Sequence, residues 1–279
     1  MKWSDLSSGF CEGILTGPPE YTNSFTSLAM TFYGLMGLFM TRNHNILIRI
    51  TSAMLAITGI GSFLYHWTWY QGWGQLDALP MLISSYLGAY QIMDLIIYKK
   101  IAIDHNNKPS YEHFSGILSL ILMSMLLISL ALTVSDDTSH WFTTLFAVPE
   151  ILIAIGVMLS KYITIQHQSY HDPELAYAFK LSYIGIATAV SAAIIWSTTE
   201  ILCQTYTWMR YLFAHGIWHI TISSGMYFLM QYMIFIYSYH KGKDPYFIKG
   251  CTWYGKLFYT FVPTVELRAP DIERSIPGY

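Results

Sequence analysis

Read for polarity, the chain alternates long apolar runs with short charged connections. Five runs lack Asp, Glu, Lys and Arg over about the 20 residues that cross a hydrocarbon core: residues 24–41, 50–76, 114–135, 181–199 and 211–240. Two more appear when one interior acid is allowed, 79–98 with Asp94 near its end and 143–160 with Glu150 inside. In lipid only helices or closed barrels satisfy the backbone, and these Leu-, Ile-, Met- and Phe-rich runs lack the strict alternation of a barrel strand. The pattern predicts an all-α fold, a bundle of seven transmembrane helices.

With seven spans, the connections around 41–45, 99–113 and 161–180 share one side with everything after residue 240. That side carries all of the 15 Lys and Arg except Lys2 and Arg210. The positive-inside rule then places the C-terminus in the cytosol and the N-terminus in a lumen or outside the cell. Residues 1–240 read as one membrane domain with a lumenal N-terminal segment, 1–23, and residues 241–279 as a cytosolic tail. The N-terminal segment is not expected to be a cleavable signal, because acids, Gly17, Pro18 and Pro19 stand where an apolar stretch is required.

Composition agrees: 53% of the residues are hydrophobic and 11% charged, against about a quarter charged in a soluble domain. An ordinary soluble enzyme and a disordered chain are both excluded. Fifteen basic against 17 acidic residues supply no excess with which to displace counterions from a nucleic acid.

Ionisable groups inside a membrane are costly, so the interior histidines carry the functional hypothesis. His215 and His219 form H-G-I-W-H, an i, i+4 pair that shares one helical face. Ser62 and His66 have the same spacing in S-F-L-Y-H. The alternating topology brings His66, Asp77, His215 and His219 to one membrane level, the non-cytosolic end. Three neutral imidazoles leave the fourth tetrahedral position of a zinc ion open, as a catalytic site requires. Asp77 is a candidate general base or a group that only orients water, and Ser62 a donor to water or to the oxyanion. This chemistry makes a hydrolase. Trp67, Trp69, Trp73, Trp208 and Trp218 read mainly as an interfacial aromatic belt. Cys11 and Cys203 fall on the lumenal side, where they could pair, and Cys251 on the cytosolic side.

These residues resemble the alkaline ceramidase family of the CREST superfamily of seven-span membrane hydrolases. The resemblance is carried by G-I-G-S-F-L-Y-H (59–66), Q-L-D-A-L-P-M (75–81), W-S-T-T-E-I-L-C (196–203) and H-G-I-W-H (215–219), with the C-E pair at Cys11 and Glu12 and E-Y-T-N at 20–23 pointing to the ceramidase branch. It implies zinc ligation by His66, His215 and His219, with Ser62 and Asp77 completing the catalytic shell, and a disulfide between Cys11 and Cys203. It also implies a calcium ion held by Glu12, Glu20 and the carbonyl of Phe10, although Gly9 and Ile14 stand where the family has an Asp and an Asn. The implied reaction is hydrolysis of the N-acyl bond of ceramide, a membrane lipid, in the endoplasmic reticulum or Golgi membrane. Two other readings share the zinc motif, a lipid esterase that remodels GPI anchors and a receptor of the progestin and adipoQ type. The charge bias argues against the receptor, whose N-terminus lies in the cytosol.

Overall fold

The computed structural model describes residues 10–41, 45–104, 107–135, 139–166, 172–249 and 252–268. Gly9 and Cys251 lie outside the described residues. A short helix, α1 (Gly13–Thr16), precedes seven long ones: α2 (Tyr21–Met40), α3 (Ile46–Thr68), α4 (Gln71–Ile97), α5 (Lys108–Ser135), α6 (Ser139–Gln166), α7 (Pro173–Leu202) and α8 (Ala214–His240). The all-α class is as expected. Six of the seven, α3 to α8, are long and apolar enough to cross a membrane. The exception is α2, whose 20 residues span about 30 Å. Its first two turns carry Thr22, Asn23, Ser24, Thr26 and Ser27, and that polar end lowers its hydropathy.

Absence of charge located the helices but not every boundary. The run 50–76 contains the α3–α4 turn: Trp69 caps α3 in the left-handed region at φ 60°, and Tyr70 starts α4 from an extended backbone. The turn is built from aromatic residues, so no charge marks it. The run 211–240 likewise starts inside a 3-10 turn, Thr207–Leu212, before α8 begins. Elsewhere local chemistry sets the ends. Asp172 caps α7 by accepting from the N–H groups of Glu174 and Leu175, with Pro173 in the first helical position.

Packing follows a chain of neighbours. Helix α3 lies between α2 and α4, α8 between α2 and α7, and α4 also touches α5 and α6. Helix α8 is central: 72% of its most apolar stretch is buried, against 22% for α5. The exposed face of α5, with Leu120, Leu127 and Ile128, is what a lipid-facing helix presents. Two glycines make α3 the tightly held member. A Cβ on Gly59 would lie 2.8 Å from the Ser27 carbonyl oxygen of α2, and one on Gly61 would lie 2.5 Å from the Leu76 carbonyl carbon of α4. Small residues let backbones approach where lipid offers no hydrophobic drive. Here they bring Ser62 beside Asp77. Glu150 of α6 accepts from Ser85 of α4 at 2.7 Å, and Asp94 accepts from Tyr111 and Ser115 of α5. Partly buried carboxylates thus find donors on neighbouring helices.

The chain after α8 folds back against the bundle. Strands β1 (Pro245–Phe247) and β2 (Val265–Leu267) pair antiparallel, with Phe247 opposite Val265, around a short helix α9 (Trp253–Phe261). Phe247, Val262, Thr264 and Val265 are buried, and the Val265 N–H donates to Gln231 of α8 at 3.1 Å. Glu174 at the start of α7 accepts from the Phe247 N–H and from Lys249. This segment closes the bundle end opposite His66.

Candidate active site

The last turn of α3, the first turns of α4 and α8, and the residues leading into α2 meet at one end of the bundle. The Glu20 N–H donates to the His66 carbonyl at 3.0 Å, which joins the start of α2 to the end of α3. His66, His215 and His219 are all buried. Their ring centroids are 4.9 Å (His66–His215), 5.2 Å (His66–His219) and 4.6 Å (His215–His219) apart. One ligand nitrogen from each lies within 4.8 Å of the others.

Hydrogen bonds define how each ring is presented. His66 donates from Nδ1 to Glu20 Oε2 at 2.7 Å, and its Nε2 is buried without a partner among the described residues. The hydroxyl of Thr26 donates to the Thr22 carbonyl at 2.6 Å, so at 3.1 Å from His219 Nδ1 it accepts from that nitrogen. Both rings therefore carry the proton on Nδ1 and a lone pair on Nε2. A buried, orphaned Nε2 with its partner nitrogen fixed by a carboxylate is the donor arrangement a metal ion requires, and this cluster fits one.

Ser62 lies one turn before His66, with its hydroxyl 3.4 Å from His219 Nε2 and near enough to the Asp77 carboxyl to act on it. Asp77 Oδ1 is buried without a hydrogen-bond partner among the described residues. All five residues expected from H-x-x-x-H, S-x-x-x-H and Asp77 are thus at this end. Phe10 covers them, its ring centroid 4.0 Å from that of His215 and 5.2 Å from that of His66. Trp218 packs its ring 5.3 Å from His219 and Trp69 donates to Glu20, so two tryptophans of the expected belt serve the site.

Cys11 and Cys203 form a disulfide with Cα atoms 6.1 Å apart, tying Phe10 and Glu12 to the end of α7. The implied calcium set is engaged in hydrogen bonds within the chain. Glu12 accepts from the N–H groups of Thr22 and Asn23 at the start of α2. Glu20 accepts from Phe10 N, Asn23 Nδ2, His66 Nδ1 and Trp69 Nε1, and the Phe10 carbonyl accepts from Ile14 N. With Gly9 and Ile14 supplying no side-chain oxygen, few uncommitted oxygens remain among the described residues for an ion that takes six to eight. Burial alone would push the Glu20 carboxyl up, but the hydrogen bonds from His66, the Asn23 amide and the Phe10 N–H hold it below the usual range.

A family model described as Ceramidase matches residues 10–266, a stretch that includes all of these residues. The chain belongs to the ceramidase family. An alkaline ceramidase of Drosophila melanogaster is 22% identical over 287 aligned residues, covering 97% of this chain and 92% of that protein. A Dictyostelium discoideum protein provisionally described as an alkaline ceramidase is 23% identical over 236 residues, 77% of this chain and 80% of its own length. Ceramide hydrolysis is the function at the level of the family, and a ceramidase with six such apolar helices is a multi-pass membrane hydrolase acting on lipid.

Sequence reasoning missed three residues at this ceramidase site. Thr26 orients His219, while Trp196 and Glu200 flank His215. The Trp196 indole N–H donates to His215 Nδ1 at 2.8 Å, and Glu200 Oε1 stands 3.8 Å from the same nitrogen. Trp196 and Glu200 were visible only as letters of W-S-T-T-E-I-L-C. No spacing connects them to a histidine on the next helix.

Proposed function

We propose that this chain is a zinc-dependent intramembrane amidase that hydrolyses the N-acyl bond of ceramide, releasing a sphingoid base and a fatty acid. The observation that carries the reading is the meeting of three buried imidazoles, with His66 Nε2 orphaned, beside Ser62 and Asp77. His66, His215 and His219 hold the ion, and α2 is the seventh span. Residues 10–23 then face a lumen, in an endoplasmic reticulum or Golgi membrane, and the segment after α8 faces the cytosol. A zinc ion supplies a Lewis acid for the amide carbonyl and lowers the pKa of water.

The protein groups do the rest. Asp77 takes a proton from the attacking water and returns it to the leaving amine, as a positioned carboxylate can when its other partners are few. Ser62 donates a hydrogen bond to the oxygen on which charge develops. Phe10, Trp218 and the apolar ends of α3 and α8 keep bulk water out. The substrate reaches this end sideways from lipid, with its long chains along the apolar interior.

Lipid mass spectrometry of the purified protein tests the reading. Ceramide should yield sphingoid base and fatty acid, a strong zinc chelator should stop product formation, and added zinc, but not calcium, should restore it. Undiminished product after zinc removal would overturn the metal chemistry. Preferential cleavage of phospholipid esters in the same assay would move the function to the esterase reading.

A further inference from the structure

Two of the three imidazoles are set to bind a metal, and the third is not. His66 and His219 each present an Nε2 lone pair because their Nδ1 protons are taken by Glu20 and Thr26. At His215 the sense is reversed. An indole N–H can only donate, so the Trp196 Nε1–H bond to His215 Nδ1 makes that nitrogen an acceptor and leaves the ring proton on Nε2. The same indole blocks the Nδ1 lone pair, so a metal can reach His215 only through Nε2. That nitrogen must first give up its proton, and a neutral ring then carries it on Nδ1.

A protonated Nδ1 cannot keep a donor as its neighbour. It needs an acceptor within reach, and the described residues offer one. Glu200 Oε2 accepts from the Cys11 N–H at 3.1 Å, while Oε1 is buried without a hydrogen bond at 3.8 Å from His215 Nδ1. An unpaired buried carboxylate oxygen is expensive. Its cost is relieved if the oxygen gains a partner in another state of the site.

We infer that Glu200 is the positioning residue for His215: when Nε2 is given to the metal, the ring turns its Nδ1–H from the Trp196 side to Glu200 Oε1. Glu200 then does for His215 what Glu20 does for His66, and each of these two imidazoles is backed by a carboxylate. Carboxylates behind metal-bound histidines fix the tautomer and raise ligand basicity. Through the Cys11 N–H and the disulfide, the same carboxylate is braced against the N-terminal segment that covers the site. Trp196, in contrast, holds His215 in the form that does not bind metal.

The inference rests on the triad being the zinc site, and the experiment separates the two. Zinc affinity is measured by chelator competition for the purified full chain and its Glu200→Gln and Trp196→Phe variants, with thermal unfolding of each metal-free protein. Gln keeps the size and can still accept from the Cys11 N–H, but it removes the charged oxygen facing His215. Glu200→Gln should bind zinc about 10–100-fold more weakly, with the metal-free protein no less stable, since an unpaired buried charge has been removed. Trp196→Phe should bind zinc at least as tightly as the wild type. Unchanged zinc affinity in Glu200→Gln overturns the inference, as does a tenfold loss in Trp196→Phe, which would make the indole the supporting group. A wild-type protein that binds no zinc overturns the triad reading itself, and the inference with it.

Discussion

His219→Ala should reduce ceramide turnover by at least about a thousandfold, the scale expected when several kcal/mol of metal assistance are lost, while the protein still inserts and folds. His219 is buried at the meeting point of α2, α3 and α8, with Thr26 on one ring nitrogen and Ser62 near the other. Truncation removes one of three ligand nitrogens and leaves a small polar hole that water can fill. Zinc content of the purified variant should fall with the activity. The helix remains anchored by the apolar stretch from Ile222 to Ile236, most of it buried, so expression should be close to wild type. Full turnover in this variant would refute the assigned role.

Asp77→Asn separates chemistry from metal binding. The amide matches the carboxylate in size, but it takes no proton at neutral pH. Turnover should drop by about two to four orders of magnitude, the range for a positioned general base, with zinc stoichiometry unchanged. The two variants should therefore lose activity alike and differ in bound zinc. If Asp77→Asn turned over ceramide at the wild-type rate, Asp77 would not be the base, and if it lost its zinc, the carboxylate would have to be assigned to the metal.

What the sequence made legible has a physical explanation. Scarcity of charge over about 20 residues located the six helices that can cross a membrane, four as charge-free runs and two with one acid allowed, because the cost of burying a charge in lipid is large enough to be written into composition. It failed at the α3–α4 turn, where Trp69 and Tyr70 break the helix without a charged residue, and it did not register the polar first turns of α2, where Asn23, Ser24 and Ser27 are buried. The triad was legible because i, i+4 spacing and alternating topology both constrain it. Its supporting groups were not. Glu20 lies 46 residues from His66, and Glu200 and Trp196 sit on α7 beside the start of α8, where no periodicity reports contact. Resemblance to relatives suggested calcium, but the oxygens of Glu12 and Glu20 and the Phe10 carbonyl are occupied by this chain's own N–H groups. Only the coordinates reveal those hydrogen bonds.

The central claim is that His66, His215 and His219 together bind one zinc ion. Zinc K-edge X-ray absorption of the purified full chain tests it most directly. The account predicts one zinc per chain with three imidazole nitrogens at about 2.0–2.1 Å and no sulfur. A sulfur shell at about 2.3 Å would contradict it, because the other cluster of ligand-type side chains among the described residues, Cys11, Glu200 and Cys203, would then hold the metal and the Cys11–Cys203 disulfide would have to be open.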